Sequence, residues 1–353
     1  MDSTTRFFLP HIARMQGYVP GEQPREGGFI KLNTNENPYP PSAQVLARLQ
    51  EACGEGLRRY PDPGALGVRR RLSQLFGVEV EETLVGNGSD ELLNIALRCF
   101  AGPGDAVVYP YPTYAYYEKL IQMQGARSVR VDFAEDFSLP AEILVPGARL
   151  TLLSNPNSPS GTLLSREAVE AVVARAEVLV LIDEAYVDFS TGGCLDLIHR
   201  YPNAILTRTM SKSFSLAGMR LGFGFAPAGL VAGMWKVKDH YNVNQLSLVA
   251  AEAALGDLEA MRANAARIQA TRQRLSRRLR ELGFYVWDSQ ANFVLARTPG
   301  PAAARLYEQL KERRILVRYF AQRRLEDCLR ISIGTDEEID TFLGVLEELL
   351  KEG

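Results

Sequence analysis

Residues 178–182 read VLVLI, an unbroken apolar run that ends in Asp183-Glu184. A strand with no polar alternation must be covered on both faces, and that is the habit of parallel sheets. The run has company. Short apolar stretches at 83–85, 105–110, 128–131, 149–153, 203–207 and 221–226 alternate with amphipathic segments at 89–100, 115–124 and 165–176. Strand and helix alternating from about residue 80 to 226 predict an α/β fold. Its large domain is a mostly parallel seven-stranded sheet covered by helices. Two further helices are expected before it, at 42–52 with Ser42 as N-cap and at 66–76. After it, residues 247–282 read as one long helix, whose basic run 272–280 is a solvated face. From 283 onward strands and helices alternate again in a βαβ-like piece, which predicts a smaller second domain.

The bulk numbers exclude several classes. The 353 residues carry 40 Lys and Arg against 42 Asp and Glu. A net charge of −2 offers no basic footprint for nucleic acid or an anionic membrane. No apolar run approaches the ~20 residues of a membrane span. The N-terminal stretch is broken early by His11 and Arg14, so no secretory leader is expected. Four scattered cysteines with no CxxC pair suit a reducing cytoplasm. Three histidines without ligand spacing argue against a metal centre.

Chemistry-bearing residues gather at the ends of the apolar runs. Residues 205–225 read ILTRTMSKSFSLAGMRLGFGF, with a single lysine, Lys212, set among Thr209, Ser211 and other hydroxyls. Arg220 follows it. A lone amine beside hydroxyls and an arginine suits a Schiff-base lysine next to an anion site. Alone, the segment is equally compatible with a surface turn. The strand at 83–85 runs into Gly86-Asn87-Gly88-Ser89-Asp90, a glycine turn at a helix N-terminus, which is an anion-binding arrangement or an ordinary cap. Tyr114 and Asp183 close two other strands, at the sheet edge where α/β proteins bind ligands. Arg318 and Arg330 lie beside C-terminal strands, as surface charges or as ligands for an anionic substrate.

Together these features describe a pyridoxal phosphate site, and here the chain resembles the fold type I aminotransferases. Within them it is similar to the histidinol-phosphate aminotransferase family. The resemblance rests on LNTNENPYPPS, RRYPDP, GNGSDE, YPTYAYY, NPNSPSG, IDEAYVDF, TMSKSFSLAGMRLGFG, YNVN, SQANFVLAR and LRISIGT, which together span nearly the whole chain.

The resemblance implies an aspartate aminotransferase-like large domain over 46–255. An N-terminal arm (1–45) and a C-terminal part (256–353) would make up the smaller α+β domain. It implies that Lys212 carries pyridoxal 5'-phosphate and moves the Cα proton, and that Asp183 pairs with the ring nitrogen. Tyr114 would stack on the ring and Tyr186 would bond its oxygen. Ser89, Asp90, Thr209, Ser211 and Arg220 would hold the phosphate. Tyr60 would reach the partner's site in a homodimer. Tyr18, Asn35 and Tyr241 would line the substrate pocket, Arg330 would grip a carboxylate, and Arg318 the substrate phosphate. The implied reaction is transamination of L-histidinol phosphate with 2-oxoglutarate. An aromatic amino-acid aminotransferase and a threonine-phosphate decarboxylase are the alternatives.

One segment departs from the pattern. Where the family has Asn-Pro-Thr-Gly, this chain has Ser158-Pro159-Ser160-Gly161. Either Ser158 or Asn157 must then contact the ring oxygen, and Asn157, which keeps an amide, is the expected one.

Overall fold

The structure is a computed structural model and describes residues 4–300 and 302–352. Its first strand, β1 (Ile30–Lys31), stands apart from the large sheet. That sheet is built by β2 (Thr83–Gly86), β3 (Ala106–Tyr111), β4 (Arg127–Asp132), β5 (Ala148–Ser154), β6 (Leu179–Asp183), β7 (Ala204–Thr209) and β8 (Gly222–Phe225). Across the sheet they lie in the order β2-β8-β7-β6-β5-β3-β4. Every neighbouring pair is parallel except those made by β8, which runs against both β2 and β7. Parallel neighbours need long crossovers. Helix Tyr116–Met123 supplies one between β3 and β4 and helix Arg166–Arg175 one between β5 and β6, while helix Ser89–Phe100 carries the chain across the sheet from β2 to β3. Residues 180–183 of β6 are all buried, as the all-apolar run demands.

Local chemistry sets the helix starts. Ser42 accepts a hydrogen bond from the Val45 N–H, and Ser165 accepts one from the Ala168 N–H. Each satisfies an amide that the first helical turn leaves free.

Two expectations are corrected. The single helix expected over 247–282 is two, Gln245–Leu255 and Leu258–Glu281. Gly256 ends the first, and the Asp257 carboxylate accepts from the Ala260 N–H to start the second. Both helices bury an apolar face, so the apolar pattern runs on across the break.

The C-terminal piece is not βαβ-like. Its strands are β9 (Tyr285–Val286), β10 (Phe293–Arg297), β11 (Ile315–Leu316), β12 (Arg318–Tyr319) and β13 (Cys328–Ser332). Four of them form an antiparallel sheet in the order β12-β13-β10-β9. Helix Ala303–Glu312 does follow β10, but it delivers the chain to β11, which pairs in parallel with β1 instead. The two chain ends therefore share a core, in which Leu32 and Tyr39 pack with Phe293, Ile331 and Phe342. The cavity described next lies where the carboxyl edge of the large sheet meets this second body.

Candidate active site

Lys212 follows the end of β7. Asn37 donates to the carbonyls of Lys212 and Ser213, at 3.0 and 3.2 Å, and so pins the backbone that carries it. The amine donates weakly to the Thr34 carbonyl at 3.4 Å. It has no carboxylate partner among the described residues. Burial pushes its pKa down from 10.5 to about 8, and the nearby Arg330 and Arg220 push the same way against Asp90 and Glu36. A buried amine with cationic neighbours is the environment a nucleophilic lysine requires.

Asp183 closes β6 and is 4% exposed. Register places Thr207 of β7 directly beside it. The Thr207 hydroxyl donates to one carboxylate oxygen at 3.2 Å, and the Tyr117 hydroxyl donates to the other at 2.9 Å. Burial dominates and raises the pKa from 3.8 to about 6, although both hydrogen bonds pull it down. No cation forms an ion pair with this carboxylate among the described residues. Tyr117 is a residue the sequence reading missed. Its signal was present, because it stands three positions after Tyr114, at the start of the helix that follows β3. The two rings meet edge to face at 5.5 Å.

The anion cradle forms where three strands meet the edge. Gly86 of β2 and Thr209 of β7 both lie opposite Gly222, the first residue of β8. A Cβ on Gly222 would sit 2.3 Å from the Ser89 nitrogen and 2.5 Å from the Gly88 carbonyl carbon, so only glycine allows this approach. Gly88 takes a left-handed φ of 85° to turn the chain into helix Ser89–Phe100, whose first amides have no partner within the helix. The Thr209 hydroxyl donates to the Ser211 hydroxyl at 3.0 Å. Arg220 approaches the same Ser211 oxygen at 3.4 Å and the Asp90 carboxylate at 3.5 Å. Tyr114 donates its hydroxyl to Asp90 at 3.1 Å, which fixes the plane of its ring.

The opposite wall comes from the second body. Arg318 of β12 and Arg330 of β13 are direct cross-strand partners. Arg330 donates to the Asn33 carbonyl at 2.8 Å and to Ser158 at 3.4 Å, while its buried Nε has no partner. Arg318 donates to the carbonyls of Pro20 and Val19, at 3.4 and 3.3 Å. Neither arginine meets a carboxylate among the described residues. Asn35 donates to the Tyr186 hydroxyl at 3.0 Å, and Tyr18 packs edge-on against Tyr116.

These groups enclose a cavity of about 340 Å³. Thirteen of the sixteen residues singled out from the sequence line it. Asn157 does not, which corrects the expectation for the ring oxygen. Its amide is fully engaged: it accepts from Thr113 at 2.8 Å and donates to the Pro112 carbonyl, both in the loop after β3, and to Ser160 of its own loop. Ser158 faces the cavity in its place. Tyr60 and Tyr241 are absent from the cavity too. They stack on each other at 4.4 Å, 79% and 48% exposed.

The donor set fits pyridoxal phosphate. A cradle of amides, hydroxyls and one arginine suits a phosphate. A buried carboxylate without a cation suits a protonated ring nitrogen, and a buried amine without an anion suits an aldehyde.

Known proteins agree. The family model for aminotransferase class I and II matches residues 28–346, and the chain belongs to this family. Its similar relatives are narrower in kind. A histidinol-phosphate aminotransferase of Microcystis aeruginosa is 47% identical, over 96% of this chain and 97% of that relative. Another, from Nostoc sp., is 46% identical over 98% and 99%. Among solved structures, histidinol-phosphate aminotransferase from Sinorhizobium meliloti in complex with pyridoxal-5'-phosphate has a TM-score of 0.90. It is 26% identical and covers 98% of each chain.

Proposed function

We propose that this chain transfers the amino group of L-histidinol phosphate to 2-oxoglutarate, giving imidazole acetol phosphate and glutamate in histidine biosynthesis. The observation that carries the reading is the pair Arg318 and Arg330, opposite each other and free of carboxylates, facing the cavity that holds Lys212 and Asp183. Two guanidinium groups suit a substrate with two anionic ends, such as 2-oxoglutarate, or with a phosphate.

The cofactor of this reading is pyridoxal 5'-phosphate. When bound, it supplies an electron-accepting ring for the pair left behind by the Cα proton. The protein's own groups do the rest. Ser89, Asp90, Thr209, Ser211 and Arg220 would hold the phosphate, and Tyr114 would cover the ring. Tyr186 and Ser158 would meet its oxygen, and Asp183 its nitrogen. Lys212 would attach the cofactor and then accept and return the Cα proton. With its pKa lowered to about 8, its free-base fraction at neutral pH is a few hundredfold above that of an ordinary lysine. Arg330 would hold the carboxylate of 2-oxoglutarate, and Arg318 the donor's phosphate.

The exposed Tyr60–Tyr241 stack supports a homodimer, in which Tyr60 reaches the partner's cavity and Tyr241 lies beside it. Four free thiols, one of them exposed, are in keeping with the cytoplasm.

The test is a panel of amino donors with 2-oxoglutarate, read as glutamate formed. Histidinol phosphate should exceed histidinol, phenylalanine and tyrosine in kcat/KM by about two decades or more. A preference for aromatic amino acids, or CO2 released from phosphothreonine without glutamate, would overturn the reading.

Two variants probe the geometry. Arg318→Ala should raise KM for histidinol phosphate roughly 10- to 100-fold, the worth of hydrogen bonds to a charged group. Unphosphorylated histidinol should change little, and an equal loss for both would show that Arg318 does not read the phosphate. Gly222→Ala forces a methyl into the backbone of Gly88 and Ser89. Its dissociation constant for pyridoxal phosphate should rise at least about tenfold, with about 1–3 kcal/mol of lost stability from overpacking. Wild-type affinity in a fluorescence titration would relocate the phosphate site.

A further inference from the structure

Two arginines facing each other across an antiparallel pair repel, and a protein usually sets a carboxylate between them. None is present at Arg318 and Arg330 among the described residues. What the two share is Phe320, which lies between them in the chain and lines the cavity. The Arg318 guanidinium carbon is 5.3 Å from the centroid of its ring, and that of Arg330 is 5.5 Å away. Both distances fall within the range at which the negative face of an aromatic ring attracts a cation. Arg330 has Phe293 at 5.2 Å as a second ring, whereas Arg318 has Phe320 alone among the described residues.

We propose that Phe320 is the positioning residue that holds both arginines in place for anionic substrates. A carboxylate could hold them as well, but it would occupy the donors that the substrate needs. A ring attracts the guanidinium groups through its face and leaves their N–H groups free. Those of Arg318 otherwise meet only two backbone carbonyls, and the buried Nε of Arg330 meets nothing. The ring also explains why two like charges on facing strands are tolerated in a half-buried wall.

This inference rests on the reading of Arg318 and Arg330 as the anion-binding pair. Its test uses the cofactor-loaded protein and calorimetric binding of 2-oxoglutarate and of inorganic phosphate. Phe320→Leu keeps apolar bulk and removes the ring. It should weaken both ligands about 3- to 10-fold, with KM rising far more than kcat falls. Phe320→Tyr, which keeps the ring face, should restore most of the affinity. Fluorinated phenylalanines incorporated at 320 keep the shape and drain the negative face, so affinity should fall stepwise with each added fluorine.

Affinity unchanged in Phe320→Leu, or flat across the fluorinated series, would reduce Phe320 to a filler and overturn the proposal. Arg318→Ala and Arg330→Ala separate the two levels of the argument. If they weaken binding while the Phe320 series does not, only the role of the ring falls. If they leave binding intact, the anion-binding pair falls, and the inference with it.

Discussion

Lys212→Ala will show no measurable turnover, a loss of about four decades or more, in the range seen when an essential group is deleted. The reason is the company the amine keeps. The other strong bases lining the cavity are Arg220, Arg318 and Arg330, and a guanidinium does not give up its proton at working pH. No other amine lines the cavity to attack an aldehyde. Treatment with borohydride should fix the cofactor to the wild-type protein and leave it dialysable from the variant. Wild-type activity, or fixation at the same level, would remove Lys212 from the chemistry.

The wild type adds a pH signature. The amine attacks only when unprotonated, and burial lowers its pKa from 10.5 to about 8 in the cofactor-free protein. Covalent capture of the cofactor should therefore quicken as pH rises toward 8 and level off above it. A rate still climbing tenfold per unit at pH 9 would mean an unperturbed lysine.

Asp183→Asn should lower kcat by several decades and yet make the cofactor-free protein more stable at neutral pH. The catalytic half follows from charge. An amide of the same shape cannot hold a proton on the ring nitrogen, so the ring accepts electrons poorly.

The stability half follows from linkage. A folded-state carboxyl whose pKa is raised is favoured while protonated, and that advantage is lost as pH climbs through the raised value. With the pKa moved from 3.8 to about 6, ionised Asp183 costs the empty site about 3 kcal/mol at pH 7. The asparagine variant escapes this cost. Its unfolding midpoint without cofactor should rise by a few degrees at pH 7, and the gap should close below pH 4. Saturating cofactor should reverse the ranking by supplying the missing cation. An unchanged rate would remove Asp183 from the mechanism, and a less stable empty variant would refute the burial cost.

The large sheet was legible because burial on both faces leaves an unmistakable pattern. The run ending in Asp183 needed nothing but its apolar composition to be placed in the interior with its acid at the edge. What escaped were facts of register and of loop path. Thr207 comes to Asp183 only because β6 and β7 pair with that alignment. Arg318 and Arg330 face each other only because the chain reverses between them, and a βαβ reading of that region hides the contact. Asn157 and Ser158 are neighbours of similar polarity. Which of them turns inward is settled by Thr113, Pro112 and Ser160, which claim the asparagine amide. The break at Gly256 was missed because the apolar stripe continues through it. Tyr117 could have been sought from its place three residues after Tyr114, in the first turn of the helix that follows β3.

The position of β8 has a consequence for the order of assembly. Gly222 joins Gly86 on one side and Thr209 on the other, so the cradle exists only once β8 has threaded between β2 and β7. Thr83 finds its partner in Phe225 only after the whole intervening succession of strands and helices has been laid down. Contacts so distant along a chain form slowly, because a long loop must close first. With the cradle holding the cofactor's phosphate as proposed, a nascent chain thus has no phosphate grip to offer. Pyridoxal phosphate becomes a late inspector of the sheet, able to lock a chain that is correctly woven and unable to guide one that is not.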